Sequence, residues 1–492
     1  MTQPGASGTS NGPMGLLGRG GAGPRLCLGL VMGAYLGLAC CYALLTPVDN
    51  APDESAHRVY VQWLAENRRL PVFDPADAQH YELHQPPLYY ALCLPAYLAG
   101  GDGVETERVT RAMRFVNVIL GLALVLLTFG FTAHMLPDKP WAVLGATAFA
   151  AFLPMQVALC ASLNNDVLTD VLIAGALWLL AIQLRAGRQP REKGKDGDGS
   201  RAKRGRRAKP NARVQTEPEE QEWVRSDTGG FTPWRMAAVG ALAGLGLLTK
   251  TQAVFLLPVI WLAVLVGWWN RDVPVKRAVG LAAVATGVSL AVGGWWLVRN
   301  QLLYGDPLAM RVFLQAFVST RPTPETMMAA AHLTPTQYAV QWVLPWTFKS
   351  FWGMFGPSAA GRFAFYPAWT YRLLGAFTLA AVAGVGLWLF REPRVAWQRR
   401  ALLPAAFLGA LVVASFVRFN VTFFQAQGRY LLPALPLWAV LFAVGVGSLA
   451  PPRARPLLAL AVSLLMLALS VGGIAVIMLQ LVPPAPDIRS WR

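Results

Sequence analysis

Apolar runs of roughly the length needed to cross a bilayer recur along the whole chain, separated by short polar or basic connections. A membrane-spanning helix needs about 20 mostly apolar residues. Eleven candidate runs meet or approach that length, near 26–45, 115–136, 141–162, 166–184, 236–249, 252–269, 278–297, 371–390, 401–417, 430–449 and 457–481. The pattern predicts an all-α polytopic membrane protein of about 11 transmembrane helices. The pair 236–269 is one apolar stretch of 34 residues interrupted by Thr249-Lys250-Thr251, which predicts two short spans meeting at a membrane face. Composition excludes the alternatives. Of 492 residues 55% are hydrophobic and 14% charged, where a soluble domain carries about 25% charged residues. The five cysteines lie mostly inside apolar runs without CxxC spacing, so they read as small apolar fillers.

The net charge of +17 is a topology signal rather than a nucleic-acid footprint. With the N-terminus in the cytoplasm, the tail through Arg25, Asp138-Lys139 and the connections 185–235, 271–277, 391–400 and 450–456 hold 26 of the 43 basic residues and 11 of the 26 acidic ones. The opposite orientation exports the 201–213 run, with seven basic residues and no acidic one. The expected organisation is a disordered cytoplasmic tail at 1–24, a first membrane half at 25–186, a charged cytoplasmic linker at 187–233, a second membrane half at 234–482 and a tail at 483–492. Two long connections, 46–114 and 298–370, fall outside. Connections of that length are usually functional or disordered, and these are not low-complexity. No nucleotide-cofactor motif such as GxGxxG or a P-loop is present.

The stretch 47–112 holds ten of the 26 acidic residues and three of the five histidines. Its opening, Pro52-Asp53-Glu54-Ser55-Ala56-His57, predicts a helix capped by Asn50 with Asp53 and Glu54 on the face of His57. Tyr60 or Val61, with Trp63 and Leu64, form an apolar stripe that lays this helix along the membrane surface. Position alone leaves two readings open. Acids in a first helical turn are favoured by the backbone dipole; a carboxylate at the bilayer surface can equally act as general base on an acceptor hydroxyl, with its neighbour or His57 orienting it or binding a divalent ion. Further on, Glu82-Leu83-His84-Gln85-Pro86-Pro87-Leu88-Tyr89-Tyr90 opens a second surface or half-inserted helix, and Glu82 and His84 add polar groups to the same pocket.

These residues resemble the first extracytoplasmic loop of GT-C type integral-membrane glycosyltransferases, most of all bacterial members related to aminoarabinose-lipid A transferases and protein O-mannosyltransferases. The resemblance runs through Pro52-Asp53-Glu54 with His57, Arg69-Leu70-Pro71-Val72 and Glu82 with Gln85 to Tyr90. It continues at Asn164-Asn165-Asp166, Leu248-Thr249-Lys250, Arg299-Asn300 with Tyr304-Gly305-Asp306-Pro307, and Gln427-Gly428-Arg429-Tyr430-Leu431 with Pro433, over roughly residues 25 to 450. Each motif is short; their order and shared outer placement carry the likeness. It implies the GT-C fold and an enzyme, a hexosyl- or pentosyltransferase, that moves a sugar from a polyprenyl-phosphate carrier to an extracytoplasmic lipid, glycan or protein acceptor. It implies inversion at the anomeric carbon, with Asp53 as general base and Glu54 second. Metal dependence does not transfer with it, and His57, Glu82 and His84 stay metal-binding or orienting candidates. The implied location is the cytoplasmic (inner) membrane, with the lipid bilayer, the donor and the acceptor as partners and no nucleic acid.

A lipid-phosphate leaving group develops negative charge at headgroup depth, which calls for fixed cations there. Lys250, Arg299 and Arg429 sit at three outer helix ends beside apolar spans; snorkelling is the plainer account of each. Asp166 opens a span with Asn165 as its cap, Asp170 lies one turn deeper as a rare intramembrane acid, and Gln85 and Tyr89 complete the secondary candidates. The aromatic set from Trp342 to Trp369 reads as an interfacial lid or an acceptor groove. A transporter or flippase of lipid-linked sugars, or a non-catalytic sugar-lipid binding subunit, is the alternative. A transporter would place its ionisable groups near the bilayer midplane, whereas these clusters sit at one face.

Overall fold

The computed structural model describes residues 22–100, 106–185, 189–190, 223–224, 230–318, 322–357, 361–391 and 396–482. The tails and most of the linker expected at 187–233 lie outside the described residues. Helices dominate, and among the described residues nine are long and apolar enough to span a membrane. Pro140–Phe152 and Pro154–Cys160, bent by 55° at the break between them, bring the number to ten when the pair is counted as one span. Pro154 causes the break, because its ring cannot continue the preceding hydrogen-bond ladder. The run expected at 236–249 is a helix of 15 residues, Pro233–Leu247. The protein is thus the all-α, multi-pass membrane protein that the apolar pattern predicts. Phe390, 92% exposed, and Leu479, 83% exposed, suit hydrocarbon and not water.

The only pairings of extended chain among the described residues are two antiparallel bridges, Met354–Phe355 with Ala364–Phe365 and Gln189–Pro190 with Trp223–Val224. Small residues let the helices approach closely, as in membrane bundles generally. Helix Ala368–Arg391 crosses Leu435–Ser448 at Gly384 and Gly445, where a Cβ on Gly384 would lie 1.9 Å from the Gly445 carbonyl oxygen. Gly386, on the same helix, faces open space. Gly384→Leu is therefore expected to cost about 1–3 kcal/mol through overpacking, while Gly386→Leu leaves the detergent unfolding midpoint unchanged. Equal midpoints for the two variants would refute this crossing.

The first long connection begins with helix Glu54–Asn67, which buries Ala56, His57, Tyr60 and Val61 and half-buries Trp63 and Leu64. The apolar stripe is where periodicity predicts it. The start differs: the residue before the first helical turn is Asp53, in the left-handed region at φ 62°, and not Asn50, which is buried upstream. A short 3-10 turn, Ala78–His84, leads to helix Leu88–Leu98. Tyr89 and Tyr90 are fully buried against the first helix and not displayed at the headgroups.

Candidate active site

At one end of the bundle four charged side chains from four separate segments meet. Arg429, on the 3-10 turn Gly428–Ala434, donates from Nη2 to Asp53 Oδ2 at 2.5 Å. Its Nη1 stands 3.8 Å from Asp166 Oδ2, and Lys250 donates to the other oxygen of Asp166. The second oxygen of Asp53 accepts the Tyr81 hydroxyl. Two carboxylates and two cations thus form one neutral chain, Asp53 to Arg429 to Asp166 to Lys250, within a largely buried setting. Low local dielectric strengthens each pair.

Local structure explains how the four arrive. Asp166 opens the Asp166–Arg185 helix; the cap is Asn164, whose Oδ1 accepts the backbone N–H groups of Asp166 and Val167, and not Asn165 as expected. Asn165 instead donates to the Thr249 carbonyl at 3.3 Å and to Gln85 Oε1 at 3.4 Å, tying three segments together. Lys250 occupies the break between helix Pro233–Leu247 and the turn Thr251–Phe255, where the interrupted apolar stretch predicts a membrane face. Gly428 precedes Arg429 because a Cβ there would lie 2.4 Å from the backbone of Phe351.

The titrations sort the carboxylates. Burial works against the charge on Asp53, but the Arg429 guanidinium and the Tyr81 hydroxyl outweigh it and hold the carboxyl well below its ordinary range. Glu82 goes the other way, raised to about 8 by burial and then by the Asp53 charge, so it is mainly protonated at neutral pH. Burial lowers His57 to about 4, leaving a neutral imidazole. His57 Nδ1 and the Tyr90 hydroxyl share a hydrogen bond of 2.9 Å, and Tyr90 donates to Glu82 Oε2 at 3.3 Å. Burial opposes the Lys250 ammonium, yet the facing Asp166 carboxylate more than offsets this and raises it.

Several expected residues sit elsewhere. Glu54 is fully enclosed and engaged by Arg114, through Oε1 at 2.8 Å and Oε2 at 2.6 Å, with the backbone N–H groups of Leu163 and Asp49 as further donors. Its enclosure and its four donors weigh against its place as second candidate base. Arg299 donates to the Pro71 carbonyl at 2.7 Å and lies over the Trp296 ring, holding the outer connection instead of joining Lys250 and Arg429. His84 Nδ1 contacts the Tyr81 carbonyl, and burial lowers it to about 4. Tyr89 accepts the Asn164 backbone N–H at 3.0 Å. Asp170 is buried below Asp166 with Oδ1 lacking a hydrogen-bond partner.

Sequence reasoning missed Tyr81, which fixes Asp53, Tyr90, which links His57 to Glu82, and Arg114, which anchors Glu54. An arginine at the mouth of an apolar helix, as Arg114 is, was the available signal, because such a group needs a carboxylate when buried. Asp53 and Asp166 are already paired with cations, and among the described residues no three His, Cys, Asp or Glu side chains gather at metal-binding range.

No protein-family model and no curated protein matches the sequence. Solved structures do resemble it. The Archaeoglobus fulgidus oligosaccharyltransferase tethered with an acceptor peptide containing the NVT sequon matches 91% of this chain and 55% of its own, at 15% identity and a TM-score of 0.50. ArnT from Cupriavidus metallidurans in the apo state matches 87% of this chain and 60% of its own, at 14% identity and a TM-score of 0.48. ArnT bound to undecaprenyl phosphate matches 92% and 74%, at 14% identity and a TM-score of 0.46. The chain spans little more than half the length of the oligosaccharyltransferase. That likeness establishes the architecture, the GT-C fold anticipated from the loop motifs, and the fold alone.

Proposed function

We propose that the protein transfers a hexose or pentose from a polyprenyl-phosphate carrier to an acceptor outside the cytoplasmic membrane. The observation that carries this reading is the chain of ion pairs joining Asp53, Arg429, Asp166 and Lys250 at one end of the bundle. Lys250 and Arg429 bind the donor phosphate, drawing on charge-assisted hydrogen bonds that suit a phosphate oxygen. As the phosphate competes for the Arg429 donors, Asp53 loses part of its stabilising partner and becomes more basic. Asp53 then takes the proton of the acceptor hydroxyl, and the acceptor oxygen bonds to the anomeric carbon from the face opposite the phosphate. The bond from that carbon to the phosphate oxygen breaks, with inversion, and polyprenyl phosphate leaves with its charge matched by the two cations. Neutral His57 and protonated Glu82 limit the negative charge around Asp53, and Tyr81 orients it.

In this reading the N-terminus and the 187–233 linker are cytoplasmic, and the 46–114 and 298–370 connections face outward from the inner membrane. Lys250→Gln tests the phosphate role while Arg429 stays between both carboxylates. Binding of a polyprenyl-phosphate sugar to the purified protein is expected to weaken by about 10–100-fold, as for loss of one hydrogen bond between charged groups. Unchanged binding would refute the role. Movement of intact carrier across vesicles without cleavage would replace the transferase with a flippase.

A further inference from the structure

A cavity of about 460 Å³ opens beside helix Leu344–Trp352, lined by Phe348, Lys349, Phe365, Tyr366, Tyr371 and Arg372. It lies at the same end of the bundle as the Asp53 cluster. Ser350, next to Lys349, accepts the Gly428 backbone N–H at 2.7 Å, and Gly428 immediately precedes Arg429. The Lys349 ammonium stands 5.7 Å from the Phe365 ring centre and 5.8 Å from that of Tyr371. Arg372 is exposed, and among the described residues neither cation has a carboxylate partner. Leu344, Trp369 and Leu373, each next in sequence to a residue lining the cavity, are 61%, 61% and 62% exposed. Trp369, Arg372 and Leu373 belong to the opening turns of the span Ala368–Arg391.

We propose that this cavity holds the headgroup of an anionic phospholipid, with its phosphate between Lys349 and Arg372 and its acyl chains along Leu344, Trp369 and Leu373. Three features of the cavity select this occupant. Unpaired cations beside aromatic faces at the interface attract an anion, and ring faces add to Lys349 binding without neutralising it. The exposed apolar residues flanking the lining are solvated by hydrocarbon, so the occupant carries chains and is not a free anion in water. Two cations flanking one phosphate repel the ammonium of a zwitterionic headgroup, which favours a lipid of net negative charge. The assignment depends on the helices lying in a bilayer and not on the transferase reading, so either can fail alone.

The test is lipid retention by the full chain, purified in micelles containing equal phosphatidylglycerol and phosphatidylcholine and read by native mass spectrometry. Wild type is expected to retain phosphatidylglycerol over phosphatidylcholine. Lys349→Gln and Arg372→Gln should each reduce that preference about fivefold, the ratio for one basic side chain at a membrane surface. Lys349→Arg retains the preference, which separates loss of charge from damage to the helix. Arg418→Gln, an exposed cation on helix Ala396–Thr422, leaves it unchanged. Equal retention of the two lipids by wild type, or an undiminished preference in both glutamine variants, overturns the proposal. So does displacement of the lipid by inorganic phosphate, or occupancy by polyprenyl phosphate instead of phospholipid.

Discussion

Asp53→Asn is expected to lower sugar transfer by about 10²–10⁴-fold, the usual contribution of a positioned general base, while donor binding falls little. The substitution isolates the chemistry unusually well. Asp53 sits at φ 62°, a left-handed conformation that asparagine tolerates better than other residues, so the turn leading into helix Glu54–Asn67 survives. The amide oxygen still accepts from Tyr81 or Arg429, while the amide nitrogen faces the other donor, so one acceptor is lost together with the negative charge and the proton affinity. Transfer followed in single turnover with a polyprenyl-phosphate sugar separates that loss from product release. Undiminished transfer by the asparagine variant would remove Asp53 as base, and with it the mechanism. Asp53→Ala is the poorer test, because it introduces backbone strain at the same residue and removes both hydrogen-bond acceptors.

The spans were legible because hydrocarbon imposes one rule over some twenty consecutive residues. The cluster was legible in part for a related reason. Lys250 interrupts an apolar stretch of 34 residues and Arg429 opens a span against the charge bias, so both stood out as candidates beside the plainer account of snorkelling. Which partners they take was not legible, because Asp53 and Arg429 are separated by 376 positions and meet only through tertiary packing. Glu54 was misjudged for the same reason. Adjacent carboxylates look alike in sequence, yet Asp53 precedes the helix in a left-handed conformation and Glu54 is its first residue, so the two side chains diverge. Asp53 faces Arg429 and Glu54 faces Arg114. The partner of Arg299 was not legible either, because an arginine at a helix end can serve a carbonyl as well as a phosphate, and here it donates to Pro71.

The second large effect concerns the buried pair of Glu54, a candidate base by sequence, and Arg114, which sequence reasoning missed. The side chains of Glu54 and Arg114 are both 0% exposed. Arg114 also donates to the carbonyls of Ala43, Thr46 and Pro47, while Glu54 accepts from Leu163 and Asp49. One knot therefore joins the end of the first span, the surface helix, the second span and the segment before Asp166. Breaking a buried pair leaves an uncompensated charge and costs about 3–5 kcal/mol, much of the 5–15 kcal/mol that holds a typical domain together. Glu54→Gln and Arg114→Met are each expected to lower the detergent unfolding midpoint steeply. The double variant should lose clearly less than the sum, because it strands no charge. Activity separates this role from the alternative one. If Glu54 were the base, Glu54→Gln would retain its stability and lose transfer; if it is the anchor, stability falls first and the protein that remains folded still transfers. A stable but inactive Glu54→Gln variant would exchange the roles of these two neighbouring carboxylates.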